Sequence, residues 1–348
     1  MIRIENRNIG QGNAPFVIAE MSGNHNQSLD RALKIVDAAV LAGADAIKLQ
    51  TATPDGLTLN IDHPDFTIDD KNSIWFGRNL YQLYKEAVTP WEWHKEIFDY
   101  CRSRGIIAFS SPFELKAVDF LESLAVPCYK IASFELVDIQ LIKRVARTGK
   151  PIIMSTGMAS LQEIDTAVRT ARAEGNDQIV LLKCTSTYPA TPEETNVTTI
   201  PHLRMAFGTE VGLSDHTMGI GVACAAVALG ATVVEKHFTL SRADGGVDAA
   251  FSLEPDELKA LVEETKRAWL GLGKIQYGSS ESEKKALKYR RSLYICEDLK
   301  AGDVLTEANL RIIRPGFGLE PKAIEVLLGR KVNQDLKRGT AMSWEYIG

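Results

Sequence analysis

The chain has 348 residues, of which 45% are hydrophobic and 24% charged, a composition typical of a soluble globular protein. Its formal net charge of −5 and its pI near 5.8 argue against a nucleic acid or an anionic membrane as partner. A few local lysines could still bind a small anionic substrate, because net charge describes the whole surface and not a single site.

The five cysteines are scattered along the chain without a Cys-x-x-Cys pair, and most lie in apolar segments. This pattern predicts reduced, buried thiols, as in proteins of a reducing compartment. The first residues, MIRIENRNIG, lack the apolar core of a secretion signal, and no apolar segment approaches the ~18 residues that a membrane span needs. We therefore expect a cytoplasmic protein with no membrane partner.

Short apolar segments alternate with longer amphipathic ones over the first 275 or so residues. The short segments predict eight strands, PFVIAEMS, ADAIKLQT, GIIAFSSP, CYKIAS, PIIMSTG, IVLLKCTS, EVGLSDHT and TVVEKHFT, which start near residues 15, 44, 105, 128, 151, 179, 210 and 232. The longer segments predict helices, among them 29–41, 91–104, 114–124, 161–173 and 219–229. Eight such alternations favour an α/β protein of the TIM (β/α)8 barrel type. An open doubly wound sheet is the alternative, but it needs a glycine-rich turn after the first strand, where this chain has MSGNHN.

The pattern changes towards the C-terminus. Residues 1–275 are predicted to form the barrel, and the polar, charged segment 276–290 reads as a linker or an exposed helix. Residues 291–348 contain short strands and the turn signals KAGD and KRGT, which predict a separate small β-rich domain. A domain of about 58 residues gains stability by packing on another surface.

Each predicted barrel strand begins with apolar residues and finishes with polar ones. The polar residues are Glu20, Lys48, Gln50, Ser110, Ser111, Lys130, Ser133, Ser155, Thr156, Ser186, Ser214, His216, Glu235 and His237. Any one of them could be polar only because the chain leaves the core there. The whole set is better explained by an active site, because TIM barrels build theirs at the C-terminal ends of the strands.

Strand alternation divides these residues into faces. His216 shares a face with Ser214, and His237 shares one with Glu235, because each pair is two residues apart. If both faces point into the barrel, two imidazoles converge, with positions left open for substrate or water, as in a catalytic metal site. The other histidines, at positions 25, 63, 94 and 202, show no such convergence.

Lysines and hydroxyl groups form a second set at the strand ends. Lys48 and Lys130, with the nearby serines, suit a ligand that carries a phosphate and a carboxylate. A Schiff-base role for either lysine is the rival interpretation, although it would make a metal pair redundant.

Ordered motifs along nearly the whole chain complete the pattern: IAEMSGNHNQSLDRA, IKLQT, FSSPF, YKIASFE, STGM, LLKCTSTYPA, GLSDHT, VEKHFTL and IRPGFGL. Together they resemble the sialic acid synthase family, and the tail resembles that family's C-terminal domain, which is similar to type III antifreeze proteins (a SAF domain). The resemblance implies a TIM barrel followed by the antifreeze-like domain, in a domain-swapped homodimer. It also implies a synthase that condenses phosphoenolpyruvate with an acetamido-sugar aldehyde.

The resemblance assigns roles residue by residue. It implies that Glu20 is catalytic, that Lys48, Lys130, Ser133, Ser155, Ser186 and Ser214 hold phosphoenolpyruvate, that His216 and His237 hold a divalent metal, and that Gln50, Glu135, Tyr188, Asp248 and Arg314 contact the sugar. Arg314 would reach in from the partner subunit. Ser186 stands where several family members have Asn, which weakens that assignment. The resemblance implies that the metal is Mn²⁺, with Mg²⁺ or Co²⁺ as alternatives. The imidazole ligands by themselves would not select manganese over zinc.

Within the family, EMSGNHNQSLD, AVTPWEWHKEIF and LLKCTS resemble the pseudaminic branch. The resemblance implies the acceptor 2,4-diacetamido-2,4,6-trideoxy-altrose. A neuraminate or legionaminate synthase with another acetamido-sugar is the second hypothesis, and a non-catalytic sugar-binding protein is the third. The sequence leaves open whether Glu20 or the metal activates the water that the reaction consumes.

Overall fold

The computed structural model describes residues 2–348. Its strands are β1 (Ile2–Ile4), β2 (Arg7–Ile9), β3 (Phe16–Glu20), β4 (Ala46–Thr51), β5 (Ile107–Pro112), β6 (Tyr129–Ile131), β7 (Ile152–Ser155), β8 (Ile179–Cys184), β9 (Glu210–Asp215), β10 (Val233–His237), β11 (Ser292–Ile295) and β12 (Leu310–Ile313). The predicted TIM barrel is confirmed, because β3 to β10 form one closed parallel sheet in sequence order, in which β10 pairs with both β9 and β3.

The helices surround the barrel and follow the predicted pattern. They are α1 (Leu29–Ala42), α2 (Pro54–Leu57), α3 (Leu80–Ala87), α4 (Trp91–Arg104), α5 (Leu115–Ser123), α6 (Ile139–Ala146), α7 (Leu161–Ala173), α8 (Thr199–Phe207), α9 (Gly221–Ala228), α10 (Pro255–Leu272), α11 (Glu281–Lys284) and α12 (Ile324–Leu327). Their boundaries have local causes: Ser160 forms a capping box with Glu163 at the start of α7, and Gly43 ends α1 in the left-handed region at φ 82°. Within residues 2–348, no helix is both long and apolar enough to cross a membrane.

The barrel strands bury both of their faces, in two different environments. Outward-facing residues pack against the helices in the larger apolar cluster, and inward-facing ones, such as Phe16, Phe109 and Val180, fill the barrel. The inward-facing apolar residues lie towards the strand starts. The polar side chains at the strand ends therefore stand above a dry layer, where an unpaired charge is costly.

A short antiparallel hairpin, β1 and β2, precedes the barrel and was not predicted from the sequence. Its Ile2, Ile4 and Ile9 are buried in the same cluster as the inward-facing residues of the barrel, so the hairpin closes the N-terminal end of the barrel. Each strand has only three residues, which is too short for a two-residue period to stand out.

The second compact unit comprises Lys274–Gly348, and the first ends at Gly273. The segment 276–290, expected to be a linker, falls in this second unit and includes α11. Strands β11 and β12 pair antiparallel in a unit with its own apolar core, in which Leu293, Leu310 and Leu327 are buried.

Candidate active site

The predicted site residues of the first unit lie at the C-terminal ends of the barrel strands and in the loops that follow them. Contacts and register pairs join Glu20, Lys48, Gln50, Lys130, Ser133, Glu135, Ser186, Tyr188, Ser214, His216, His237 and Asp248. Ser155 lies at the end of β7, two residues before Gly157. Arg314 lies in the second unit, just after β12, and is exposed. Its contact with a sugar stays a prediction.

Two lysines and two carboxylates form a buried chain of alternating charge. Lys48 Nζ lies 2.6 Å from Glu20 Oε2 and 4.0 Å from Glu235 Oε2, and Lys130 Nζ lies 3.4 Å from Glu235 Oε1. Ser214 Oγ donates a hydrogen bond of 3.1 Å to Glu235 Oε1, and Gln50 Nε2 donates one of 3.0 Å to Glu20 Oε1. The carboxylates compensate the two ammonium groups. An anionic ligand would compete with Glu235 for both lysines.

Burial and neighbouring charges shift the pKa values of these four groups. Burial, reinforced by the charge of Glu235, raises the pKa of Glu20 to about 7 in spite of the opposing ammonium of Lys48. Burial would lower the pKa of Lys48, but Glu20 and Glu235 outweigh it and raise that pKa. A lysine held as an ammonium is a poor nucleophile, so the Schiff-base interpretation is disfavoured for Lys48. Burial lowers the pKa of Lys130.

A group of hydroxyls surrounds Gly157, in the STGM segment after β7. The Gly157 N–H donates a hydrogen bond of 3.2 Å to Ser133 Oγ. A Cβ atom placed on Gly157 would lie 2.1 Å from Ser186 Oγ and 2.8 Å from Ser133 Oγ, so both hydroxyls approach the glycine backbone closely. Ser155 Oγ is buried and has no hydrogen-bond partner within residues 2–348. An unpaired buried hydroxyl, next to hydroxyls that approach a glycine backbone closely, could donate hydrogen bonds to a phosphate.

His216 and His237 converge as predicted, with ring centroids 5.3 Å apart. His216 Nδ1 lies 2.8 Å from the carbonyl oxygen of Thr185, so Nδ1 carries a proton, and Nε2 is the nitrogen that would bind a metal after losing its own proton. Burial would lower the pKa of His216, but the hydrogen bond and charge of Cys184 outweigh it and raise that pKa. His237 Nδ1 is buried without a hydrogen-bond partner in the described chain and lies 3.8 Å from Asp248 Oδ2. Burial and nearby positive charges, foremost His216, hold the pKa of His237 well below its usual range, which favours the neutral form.

These two imidazoles fit a catalytic metal better than a structural one. Within residues 2–348, no group of three or more His, Cys, Asp or Glu side chains is arranged to enclose a metal ion. A divalent ion held here would therefore keep most of its coordination positions for water or substrate.

Two of the predicted sugar residues, Tyr188 and Asp248, lie beside the histidines. The Tyr188 ring lies 4.6 Å from the His216 ring, centroid to centroid, and the Trp75 ring lies 5.6 Å from the Tyr188 ring. Asp248 is buried and accepts a hydrogen bond from Ser22 Oγ. Burial raises the pKa of Glu135 to about 7. Aromatic rings beside carboxylates are a common lining for sugar sites.

Sequence reasoning gave no role to three residues that the structure places in the site. Glu235 bridges both lysines, and its position two residues before His237 was the signal that could have assigned it. Cys184 Sγ lies 3.8 Å from His216 Nδ1; burial raises the pKa of Cys184, but the hydrogen bond and charge of His216 bring it down to about 7. Trp75 comes from the long segment between α2 and α3, which has no periodic pattern to place it.

Two further histidines, His25 and His94, are buried, and neither ring pairs with His216 or His237. His94 on α4 donates through Nδ1 to the carbonyl oxygen of Pro90 at 3.1 Å, and its Nε2 accepts from Thr51 Oγ1 at 2.7 Å. His25 accepts through Nδ1 from the N–H of Gln27 at 3.1 Å. Burial lowers the pKa of each imidazole to about 4, so both are neutral packing residues.

The closed parallel barrel, with its charged network and paired histidines at the strand ends, defines a TIM-barrel enzyme. Comparison with known families gives the same result: the NeuB family matches residues 35–277, and the SAF domain matches residues 290–347. The chain belongs to the NeuB family, and it carries a C-terminal SAF domain.

Individual proteins show how similar the relatives are. The chain is 46% identical over 330 residues to the pseudaminic acid synthase of Campylobacter jejuni, covering 94% of this chain and 95% of the relative. It is 42% identical over 334 residues to the pseudaminic acid synthase of Helicobacter pylori, covering 96% and 98%. Among solved structures, the N-acetylneuraminic acid synthetase of Leptospira borgpetersenii, in complex with citrate, matches with a TM-score of 0.73 and 32% identity, covering 82% of this chain and 94% of that one.

Proposed function

We propose that this protein is a pseudaminic acid synthase, a transferase that condenses phosphoenolpyruvate with 2,4-diacetamido-2,4,6-trideoxy-L-altrose to give pseudaminic acid and phosphate. The observation that carries the proposal is the convergence of two buried lysines, a hydroxyl-lined glycine turn and two imidazoles at one end of the barrel. The lysines and the glycine turn suit the phosphate and carboxylate of phosphoenolpyruvate. The imidazoles suit a metal ion that would bind next to the aldehyde of the sugar. The similarity to the two pseudaminic acid synthases supports this choice of acceptor.

The reaction forms one carbon–carbon bond and, at C2, exchanges the carbon–oxygen bond to phosphate for one to the oxygen of water. C3 of phosphoenolpyruvate attacks the aldehyde carbon, whose oxygen takes up a proton, and positive charge develops at C2. Water adds at C2 and loses one proton, which leaves a hydroxyl on C2. The C2–O bond to phosphate then breaks as this hydroxyl becomes the C2 carbonyl, and its proton goes to the departing phosphate. A divalent ion at His216 and His237 would supply Lewis-acid polarisation of the aldehyde oxygen.

The chain's own residues bind the anion and move protons. Lys48, Lys130 and the serines around Gly157 would hold the phosphate and carboxylate and keep C3 facing the acceptor. The Glu20 carboxylate would offset the positive charge at C2. With its pKa near 7, Glu20 would also accept the proton that the attacking water loses.

The test is phosphate release from phosphoenolpyruvate with purified protein and Mn²⁺, comparing the diacetamido-trideoxy-altrose with N-acetylmannosamine and with the legionaminate precursor. We expect release with the altrose sugar and little with the others. Release with another acceptor would retain the mechanism and reassign the substrate. No release with any acceptor would refute the catalytic proposal. Omitting Mn²⁺, and replacing it with Mg²⁺ or Co²⁺, tests the metal separately.

We also propose that the protein works as a domain-swapped homodimer in which Arg314 completes the site of the partner subunit. The test mixes two inactive variants, Arg314→Ala and Glu20→Gln. If Arg314 acts across the dimer, a mixed dimer contains one site with both native residues, and activity returns on mixing. No recovery in mixed dimers verified by mass spectrometry would refute the exchange.

We propose a cytoplasmic location as well, because all five cysteines are free thiols, the state that a reducing compartment maintains. Fractionation of the source cells, with an immunoblot against the chain, would test it. Recovery of the chain outside the cytoplasmic fraction would contradict it.

A further inference from the structure

A buried ion pair joins the outward faces of β9 and β10, on the opposite side of these strands from the charged network. Asp215 and Lys236 are directly paired in the strand register and are only 3% and 1% exposed. Lys236 Nζ lies 2.8 Å from Asp215 Oδ2 and donates a second hydrogen bond of 2.6 Å to the carbonyl oxygen of Thr217. Neither residue touches the lysine and carboxylate groups described above, so the active-site chemistry does not account for this pair.

The pair restrains the backbone on both sides of the two metal-candidate histidines. Asp215 Oδ1 accepts hydrogen bonds from the Thr217 N–H at 2.9 Å and from Thr217 Oγ1 at 2.8 Å, which fixes the turn that contains His216. Lys236 immediately precedes His237 and holds the same turn through the Thr217 carbonyl. The two histidines are thus attached to one buried network, although they lie on different strands.

Stability alone is a weak reason for such a pair. Two charges buried against the helices lose their hydration, and apolar residues of similar volume often serve folding as well or better. A metal site, in contrast, needs its ligands held closely in place, and the residues that orient them affect affinity strongly. His216 already has one such restraint, the Thr185 carbonyl 2.8 Å from its Nδ1. His237 Nδ1 has no hydrogen-bond partner in residues 2–348, so its position depends on the backbone of β10.

We propose that Asp215 and Lys236 are positioning residues for a divalent cation at His216 and His237. They set the distance and angle between the two imidazoles without contacting the ion. This inference rests on the metal site of the proposed function, and it assigns the affinity of that site to residues outside it.

The test uses the double variant Asp215→Asn/Lys236→Met, which removes both charges together and keeps an acceptor for Thr217. Two quantities are measured on protein without substrate: the Kd for Mn²⁺ by titration calorimetry, and the Tm of the metal-free protein in EDTA. We expect the Tm to change by only a few degrees and the Kd to rise by about 10-fold to 100-fold. Lys236→Arg, which retains the charge, should recover most of the affinity.

The control replaces a second lysine–carboxylate pair of the barrel unit, Glu122→Gln/Lys150→Met. Its ammonium and carboxylate are 2.5 Å apart, are partly exposed, and do not touch the histidine strands. That variant should leave the Kd for Mn²⁺ unchanged. A folded Asp215→Asn/Lys236→Met protein with a Kd within about threefold of the wild type would overturn the proposal. If the double variant does not fold, Asp215→Asn alone gives the same comparison. If the wild-type protein binds no Mn²⁺, the metal site is refuted and this proposal with it. The proposed synthase activity is tested separately, because phosphate release that needs no metal would retain it.

Discussion

Replacing Gly157 with alanine tests the hydroxyl group directly. The new Cβ would lie 2.1 Å from Ser186 Oγ and 2.8 Å from Ser133 Oγ, well inside van der Waals contact. Both hydroxyls can rotate away, because each is one torsion from another staggered position, and Ser133 Cβ, at 3.2 Å from the new atom, needs to shift by only a few tenths of an ångström. The substitution therefore costs little folding free energy but turns the two hydroxyls away from their present positions, and it disturbs the hydrogen bond from the Gly157 N–H to Ser133.

The size of the effect follows from the hydrogen bonds that a bound phosphate would lose. A hydrogen bond to a charged group contributes roughly 1.5–3 kcal/mol, so losing one should weaken phosphoenolpyruvate binding by about 10-fold to 150-fold. We expect the KM for phosphoenolpyruvate to rise accordingly while the KM for the sugar changes little. Overpacking without rearrangement would instead lower stability by about 1–3 kcal/mol. The assay is phosphate release as a function of each substrate, with Tm measured in parallel.

Gly271 provides the control. It lies in α10, and a Cβ there would meet no atom within 4 Å, so Gly271→Ala should leave both KM values unchanged and slightly raise the Tm. A Gly157→Ala enzyme with a native KM for phosphoenolpyruvate would refute the placement of the phosphate beside this turn.

Three other substitutions test the catalytic role of Glu20, the packing of Trp75 in the sugar site, and the lowered pKa of His94. Glu20→Gln should abolish phosphate release while phosphoenolpyruvate binding, measured by calorimetry, stays within a few fold; loss of binding would make Glu20 structural. Trp75→Ala should raise the KM for the sugar about 10-fold by releasing Tyr188, whereas Trp91→Ala, whose ring stacks on Phe120 instead, should not; equal effects would contradict a role in the sugar site. Burial lowers the pKa of His94 to about 4 from an unfolded value of 6.5, so this neutral imidazole contributes stability above pH 6.5 that is lost as the pH falls towards 4. Between pH 7 and pH 5, the wild type should therefore lose about 2 kcal/mol more free energy of unfolding than His94→Asn. Urea unfolding at the two pH values measures this, and an equal loss in both proteins would contradict the assignment.

The barrel could be predicted because its strands carry their signal locally. Each of the eight has an apolar start and a polar end, and the observed strands begin within two residues of the predicted positions. The pairing of His216 with His237 could be predicted in the same way, because strand alternation fixes which side chains share a face.

The rest of the site depends on contacts that no local pattern contains. Glu235 was visible as a polar strand end, but its contacts with both lysines exist only once the barrel closes. The same is true of Trp75, which reaches Tyr188 from an irregular loop, and of the Asp215–Lys236 pair, whose partners lie on two strands separated by a helix. The hairpin β1–β2 was missed because its strands are too short to show a period.

The closure of the barrel by pairing β3 with β10 has a consequence for how activity arises during folding. In the strand register, Glu20 at the end of the first barrel strand is the direct neighbour of His237 at the end of the last. No partial barrel contains both halves of the site, so a chain that has folded only its early strands cannot begin the reaction. Contacts so distant in sequence form slowly, because the intervening chain must be ordered first. The two halves of the site within the barrel should therefore come together in one step, when the last strand pairs with the first.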